Sequence, residues 1–238
     1  MKTLIYTLTV AFTFLAFHSC YFNAVEGNGN ITENTVSISD YKNIEFSGGA
    51  TLIYEQKTDV EPYLKIEIDE NLFPILKIGV NDSTLSIENK ENIRATKYVI
   101  YTNSSKLAKI GASGSLKAHL KGRLETDKLD LAVSGSGNII ADSLICNTVI
   151  SRVSGSGNII LTGKTNTFES HVSGSGKTDA INLLADNVTC SLSGSGDFTV
   201  HAEKTLNVQV SGSGKVNYKG DPQISQSISG SGKINKID

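Results

Sequence analysis

The chain has 238 residues and a formal net charge of −2, with 22 glycines, 3 prolines, 3 cysteines and no tryptophan. A near-neutral chain without a basic run is not typical of nucleic-acid-binding proteins. Three cysteines are too few for a disulfide scaffold, and abundant glycine without proline argues against collagen-like or proline-rich disorder. The composition instead predicts a β-rich chain with many tight bends.

The first 20 residues, MKTLIYTLTVAFTFLAFHSC, have the pattern of a secretory signal peptide. One lysine is followed by an uncharged, mostly apolar run that is too short for a stable membrane span. Cys20 stands where the signal would be cut, which resembles a bacterial lipoprotein signal whose cysteine becomes the lipidated first residue. We therefore predict a signal peptide over residues 1–19, lipid attachment at Cys20 and a polar tether over residues 20–34. The alternative is an ordinary secretory signal with no role for Cys20.

The second half of the chain is built on the tetrapeptide Ser-Gly-Ser-Gly. Its complete copies occupy residues 134–137, 154–157, 173–176, 193–196, 211–214 and 229–232. They begin about 20 residues apart, and a degenerate copy precedes them at Ser113. Between the copies, apolar and polar residues alternate with a period of two, which is typical of half-buried strands. Coils of this length without a helical period predict a parallel β-solenoid.

The same alternation predicts which side chains of each tetrapeptide face the solenoid interior. Val153, Gly155 and Gly157 share one parity, whereas Ser154 and Ser156 share the other. We expect the glycines inside, either to avoid crowding at a bend or to supply a backbone conformation that other residues resist. The serines are expected to face outward.

Residues 35–112 also alternate, but they carry no Ser-Gly-Ser-Gly and hold more aromatic residues than the repeats do. We predict that longer strands in this region begin the solenoid and form its N-terminal cap, because an uncovered β edge invites aggregation. Residues 113–238 then form the coils, so that residues 35–238 make a single domain. Charges at Lys233, Lys236 and Asp238 are expected to blunt the other edge.

Several segments together resemble the family of putative auto-transporter adhesins built on the head GIN domain, which is common in secreted and lipid-anchored proteins of Bacteroidetes. These segments are residues 39–50 (SDYKNIEFSGGA), residues 98–101 (YVIY) leading into 107–115, and the Ser-Gly-Ser-Gly-Asn-Ile coils at 134–139 and 154–159. The resemblance covers about residues 35–238. It implies a right-handed β-helix and an envelope location, and it brings no catalytic residues with it.

No motif predicts a catalytic centre, a metal site or a cofactor. The sequence GSGKT at residues 174–178 matches the core of a phosphate-binding loop, but the repeat explains it, and His171 stands where the full motif needs glycine. Calcium-binding β-rolls need an aspartate after the second glycine, where several copies here carry lysine. Cys146 and Cys190 occupy different positions in their coils, which favours two buried free thiols over a disulfide.

Outward-facing serines supply the only regular external chemistry of the repeats. The candidate serine ladder consists of Ser134, Ser136, Ser154, Ser156, Ser173, Ser175, Ser193 and Ser195. Paired hydroxyls at strand spacing suit a periodic ligand such as a glycan. The alternative is that serine is simply a small, soluble residue beside glycine at a tight corner.

The sequence therefore predicts a noncatalytic lipoprotein of the cell envelope that acts in adhesion or another surface interaction. It would be exported and anchored to the outer membrane by its lipid, facing the periplasm or the cell surface. Its partners would be that membrane and a glycan or a host or envelope protein, without nucleic acid or cofactor. Two alternatives stay open: a carbohydrate-active β-helix enzyme with a loop-built site, and a structural envelope spacer.

Overall fold

A computed structural model describes residues 24–237, which form strands and one short 3₁₀ helix at Phe73–Ile75. The strands before the repeats are β1 (Val25–Glu26), β2 (Ile31–Ser37), β3 (Asn43–Gly48), β4 (Thr51–Gln56), β5 (Tyr63–Asp69), β6 (Leu76–Asn81), β7 (Thr84–Asn89), β8 (Ile93–Arg94) and β9 (Tyr98–Ser104). They are followed by β10 (Lys109–Gly114), β11 (Lys117–Gly135), β12 (Asn138–Gly155), β13 (Asn158–Gly174), β14 (Lys177–Gly194), β15 (Asp197–Gly212), β16 (Lys215–Lys219), β17 (Gln223–Gly230) and β18 (Lys233–Lys236). None of these elements is a helix long and apolar enough to cross a membrane.

The repeats form a β-solenoid of about six turns with roughly 20 residues per turn, as predicted. Strands β11 to β15 pair in parallel, each with the next coil along the chain. Equivalent residues stack directly, so that Val133 lies beside Val153 and Val153 beside Val172. These valines are buried in a continuous apolar interior, while the serines on either side of each first glycine are exposed. The predicted parity is confirmed for the valines, the serines and the second glycines such as Gly157, which is buried, whereas first glycines such as Gly155 are only half-buried at the corner.

The two glycines of each tetrapeptide have different roles. One supplies an unusual backbone conformation and the other avoids crowding, and these are the two roles that the sequence left open. Gly155 has a φ of +115°, and a Cβ built on it would lie 2.6 Å from the carbonyl oxygen of Gly135 in the preceding coil. It therefore supplies a left-handed conformation and a close backbone approach. Gly157 lacks that conformation, but its Cβ would lie 2.5 Å from Cγ1 of Val133 and 2.6 Å from the carbonyl oxygen of Gly137, so this glycine leaves room for the stacked valine and the preceding coil.

We expect Gly155→Ala to lower the free energy of unfolding by about 2 kcal/mol or more, because alanine at positive φ is strained and its Cβ collides with backbone. The matched control Ser156→Ala changes an exposed neighbour and should stay within about 0.5 kcal/mol of the parent. Val153→Asp should also be strongly destabilising, since it buries an unpaired carboxylate between coils. Urea unfolding midpoints measure all three, and equal midpoints would contradict the register.

The coils of the first region do not stack in chain order. The coil made by β3 and β4 lies between two coils that come later in the sequence. On one side β3 pairs with β7 and β4 pairs with β9; on the other side β3 pairs with β10 and β4 with β11, all in parallel. The chain thus starts in the second coil of the stack, continues into the first and then returns to the third.

Antiparallel strands cap this end of the solenoid, which confirms the predicted cap but not the predicted strand lengths. Strands β2, β5 and β9 pair antiparallel, as do β6 and β7. The cap strands have only 6 or 7 residues, whereas β11 to β15 have 16 to 19. The expectation of longer strands was wrong because coil strands continue through their bends, while cap strands end at tight turns. One such turn is Asp82-Ser83, where both residues have positive φ.

Residues 25–34 belong to the folded domain rather than to the predicted tether. They form β1, which pairs with β8, and the beginning of β2. The signal peptide, Cys20, residues 20–23 and Asp238 lie outside the described residues. The polar composition of this stretch concealed the strands, because β2 covers the cap and its inward-facing side chains are only half-buried.

A buried carboxylate fixes this segment to the cap. Asp69 is fully buried and accepts hydrogen bonds from the backbone N–H groups of Gly29 and Thr96, each at 2.8 Å. A Cβ on Gly27 would collide with the Asp69 carboxyl group, so only glycine lets the chain approach so closely. Burial alone would raise the pKa of Asp69, but the N–H groups of Gly29 and Thr96 hold it below its ordinary value.

We expect Asp69→Asn to destabilise the protein by about 3 kcal/mol at pH 7, because the amide replaces an acceptor of charge-assisted hydrogen bonds. Since the folded pKa of Asp69 is depressed, its contribution is complete above the ordinary pKa of 3.8 and is lost as the pH falls through the folded pKa. The difference between variant and parent should therefore shrink in acid. Urea unfolding at several pH values measures this, with Glu70→Gln at the exposed neighbour as the control.

Candidate functional site

A groove of about 810 Å³ runs along one side of the solenoid. We call it the serine groove. One wall is the first serine of each tetrapeptide in successive coils: Ser113, Ser134, Ser154, Ser173, Ser193, Ser211 and Ser229. A second row of lining residues stands two positions earlier in each coil: Gly111, Ala132, Arg152, His171, Ser191, Gln209 and Ser227. Between the two rows the lining is apolar and includes Val133, Val153, Val172, Leu192 and Val210.

The parallel register builds this wall. Ser113 pairs with Ser134, Ser134 with Ser154, and the same match continues through each coil to Ser229. Because adjacent strands lie about 4.8 Å apart, the serines form a row roughly 30 Å long. Within residues 24–237 their hydroxyl groups make no hydrogen bond to another protein atom. Each hydroxyl can therefore donate to and accept from a ligand.

The predicted serine ladder divides into two rows. Ser134, Ser154, Ser173 and Ser193 line the groove, whereas the second serines of the same tetrapeptides lie beyond the corner, on the next side of the solenoid. These second serines are Ser136, Ser156, Ser175 and Ser195, and their side chains are also exposed. Their backbone N–H groups hold the corner: the N–H of Ser156 donates to the carbonyl of Gly135 at 2.9 Å, and the other three repeat this bond. The structure therefore does not place all eight serines on one binding face.

Charged side chains occupy the middle and one end of the groove. Arg152 and His171 are neighbours across β12 and β13 at mid-groove, and Arg152 forms an ion pair with Asp130. At one end Lys109 and Glu45 form an ion pair at 2.6 Å. The sequence did not identify Arg152, Lys109 or Glu45 as site residues, because they do not repeat, and it drew attention to His171 only as a departure from a phosphate-binding loop. The signal that could have identified them is their outward parity: Arg152 and His171 stand two positions before a first serine, and Lys109 stands four positions before one.

The groove lacks the side chains of a glycoside hydrolase. Glu45 is the only carboxylate lining it among the described residues, and Lys109 neutralises that group. Elsewhere His119 and Asp142 form a hydrogen bond of 2.6 Å, which holds the pKa of Asp142 below its ordinary value. This pair is exposed and stands apart from the groove. Within residues 24–237 no cluster of three or more His, Cys, Asp or Glu side chains could hold a metal ion.

The two cysteines of the repeats are buried and unpaired, as predicted. Cys146 lies beside Thr165 in the next coil, whereas Cys190 lies beside Ser170, so stacking keeps them in different rows. Burial raises the pKa of Cys146 to about 11 and raises that of Cys190 as well. Both groups therefore stay protonated at neutral pH and are not suited to nucleophilic or redox chemistry.

Comparison with known proteins gives a family and several solved structures. The family described as "Putative auto-transporter adhesin, head GIN domain" matches residues 40–222. A crystal structure of a putative lipid binding protein from Parabacteroides distasonis is 33% identical, with a TM-score of 0.79, over 91% of this chain and 100% of that one. A putative adhesin from Bacteroides fragilis is 29% identical, with a TM-score of 0.86, over 90% and 100%. No curated protein matches the chain.

Proposed function

Because the chain belongs to the family of putative auto-transporter adhesins with a head GIN domain, we propose that it is a noncatalytic envelope protein that binds a linear glycan along the serine groove. The observation that carries this proposal is the row of seven stacked serines, from Ser113 to Ser229, whose hydroxyls have no protein partner within the described chain. A surface role agrees with the adhesin description of the family and of the Bacteroides fragilis structure.

A glycan matches the groove better than a lipid does. A lipid chain would need an enclosed apolar pocket, whereas this groove is open to solvent and carries a row of hydroxyl groups, with Arg152 and His171, beside its apolar lining residues. A linear polysaccharide presents hydroxyl groups at regular intervals along an extended chain. Its affinity would come from many weak contacts that add along the polymer.

The two alternative functions make different demands on the groove. A carbohydrate-active enzyme needs two carboxylates, or a carboxylate and a base, converging on one bond of the substrate. Glu45 is a single, ion-paired carboxylate, so the groove supports binding better than hydrolysis. A structural spacer needs no groove at all, whereas the row of exposed serines along the groove supports a binding role.

We further propose that the protein is an outer-membrane lipoprotein anchored through Cys20. The support is the leader sequence, which ends in a cysteine after an apolar run. Because β1 pairs with β8 and β2 covers β5, an anchor at Cys20 would hold the capped end of the solenoid near the membrane. The serine groove would then run outward from the bilayer.

Groove binding predicts unequal effects for two matched triple variants. The variant Ser154→Ala, Ser173→Ala, Ser193→Ala removes three hydroxyls from the groove. If each hydroxyl contributes about 1 kcal/mol, affinity for a polysaccharide should fall about a hundredfold. The control Ser156→Ala, Ser175→Ala, Ser195→Ala makes the same changes in the same coils, beyond the corner, and should bind like the parent.

The measurement is a titration against the polysaccharides that the parent protein retains from a panel of soluble linear glycans. Equal losses in both variants would show that the serines act through the fold rather than by contact. A parent protein that retains no member of a panel covering neutral, acidic and amino-sugar polymers would contradict the glycan assignment.

Lipid anchoring is tested separately. Cys20→Ala should move the protein from the membrane fraction to the soluble fraction and abolish its labelling by a radioactive fatty acid, because no other anchor is proposed. The control Ser19→Ala changes the adjacent small residue and should leave both readouts unchanged. A parent protein that takes up no fatty acid would refute the anchor and leave the glycan proposal untouched.

A further inference from the structure

The two ends of the solenoid are finished differently. At the first end, antiparallel strands cover the stack, as described above. At the other end, β17 pairs within the described chain only with β15, and all its residues are exposed. Ile224 and Ile228 stack on Leu206 and Val210 of the apolar interior, yet each is 40% exposed. This end therefore presents an open strand edge beside uncovered core residues.

Strand β17 lacks the features that usually protect such an edge. Exposed edge strands commonly carry charged residues, a proline or a bulge that prevents further pairing. The neighbouring β18 has Lys233 and Lys236, in agreement with the predicted blunting. In contrast, the eight residues of β17, QISQSISG, include no charge and no proline. At this end of the solenoid, charged residues therefore protect the edge of β18 but not the edge of β17.

Five of the eight residues of β17 read the same in both directions around Gln226. Ile224, Ser225, Gln226, Ser227 and Ile228 form the palindrome ISQSI. If a second β17 were paired antiparallel about a two-fold axis at Gln226, each isoleucine would face an isoleucine and each serine a serine. The two glutamines would face each other, and no charged side chains would meet. A two-fold interface requires such a self-complementary surface.

The backbone of β17 also directs N–H and C=O groups of alternate residues toward the open edge, where a second strand could pair with them. In β11, Asp130 occupies the position equivalent to Ser225, and its N–H donates to Ala108 of the preceding coil at 2.8 Å. By the same pattern Ser225 and Ser227 bond back to β15. Because N–H and C=O groups alternate sides along a strand, those of Ile224, Gln226 and Ile228 point to the open edge.

From these observations we propose that the chain forms a two-fold dimer by antiparallel pairing of β17 with the β17 of a second copy. The exposed groups of Ile224, Gln226 and Ile228 would complete the hydrogen-bonded ladder, and the isoleucines would extend the apolar interior across the interface. Each Gln226 amide both donates and accepts, so the two amides satisfy one another. A single polar residue at an inward position also fixes the register, as a lone asparagine does in coiled coils.

A charge exchange at the two-fold axis tests this dimer. Gln226→Lys and Gln226→Glu each place two like charges face to face in the dimer. The dimer dissociation constant of each variant should therefore be at least about tenfold higher than that of the parent at low salt. An equal mixture of the two variants should recover the dimer, because opposite charges then meet. The measurement is sedimentation velocity of the full chain in mild detergent. Gln209→Lys is the control, since β15 already pairs on both sides.

Thermal unfolding of each variant confirms that the fold persists, as expected for an exposed position on the last coil. The proposal stands if the parent is a dimer, both Gln226 variants are monomers and their mixture is a dimer. It is overturned if the parent is a monomer at about 100 µM, a concentration far above the dissociation constant of a specific homodimer. It is also overturned if the mixture stays monomeric or if Gln209→Lys dissociates as readily.

Discussion

The in-register hydrogen-bonded ladder between coils is the constraint on which the rest of the molecule depends. At every Ser-Gly-Ser-Gly corner the N–H of the second serine donates to the first glycine carbonyl of the preceding coil, as from Ser156 to Gly135 and from Ser175 to Gly155 at 2.9 Å. That carbonyl is also the atom that a side chain on the next first glycine would strike. The same bond therefore holds the coils together and requires glycine at the corner. A slip of one residue would exchange valines and serines between interior and surface.

The repeated part of this structure could be predicted from the sequence, because coils with the same length and the same pattern stack with equivalent residues side by side. Coil length, parity and the inward valines follow from spacing alone. The first region resisted prediction, since an alternating strand does not reveal whether its neighbours are parallel or antiparallel. Nothing in residues 43–56 shows that their coil lies between coils formed by residues 84–104 and 109–126. For the candidate site, the serine rows were predictable, whereas Arg152 and His171 were not, because they break the repeat.

The two proposals concern different surfaces of one rod. The serine groove lies along the side, and the open β17 edge lies at the end away from the cap. Only Ser227 and Ser229 belong to both, and their side chains point outward rather than along the stack. Pairing through the backbone edge would therefore leave the groove accessible. It would also place the two caps, and any anchors attached to them, at opposite ends of the assembly.

The position of the β3–β4 coil has a consequence for folding. A solenoid whose coils follow chain order can grow by adding each coil to the last. Here the earliest coil is sandwiched between later ones, so residues 31–114 must come together as one cooperative unit with many long-range contacts. Such contacts close slowly, because distant segments must meet before any is stabilised. Once β10 has paired, each coil from β11 onward can pair with a coil that is already folded. During synthesis or export from the N-terminus, all the residues that this slow step needs therefore emerge before the first complete Ser-Gly-Ser-Gly.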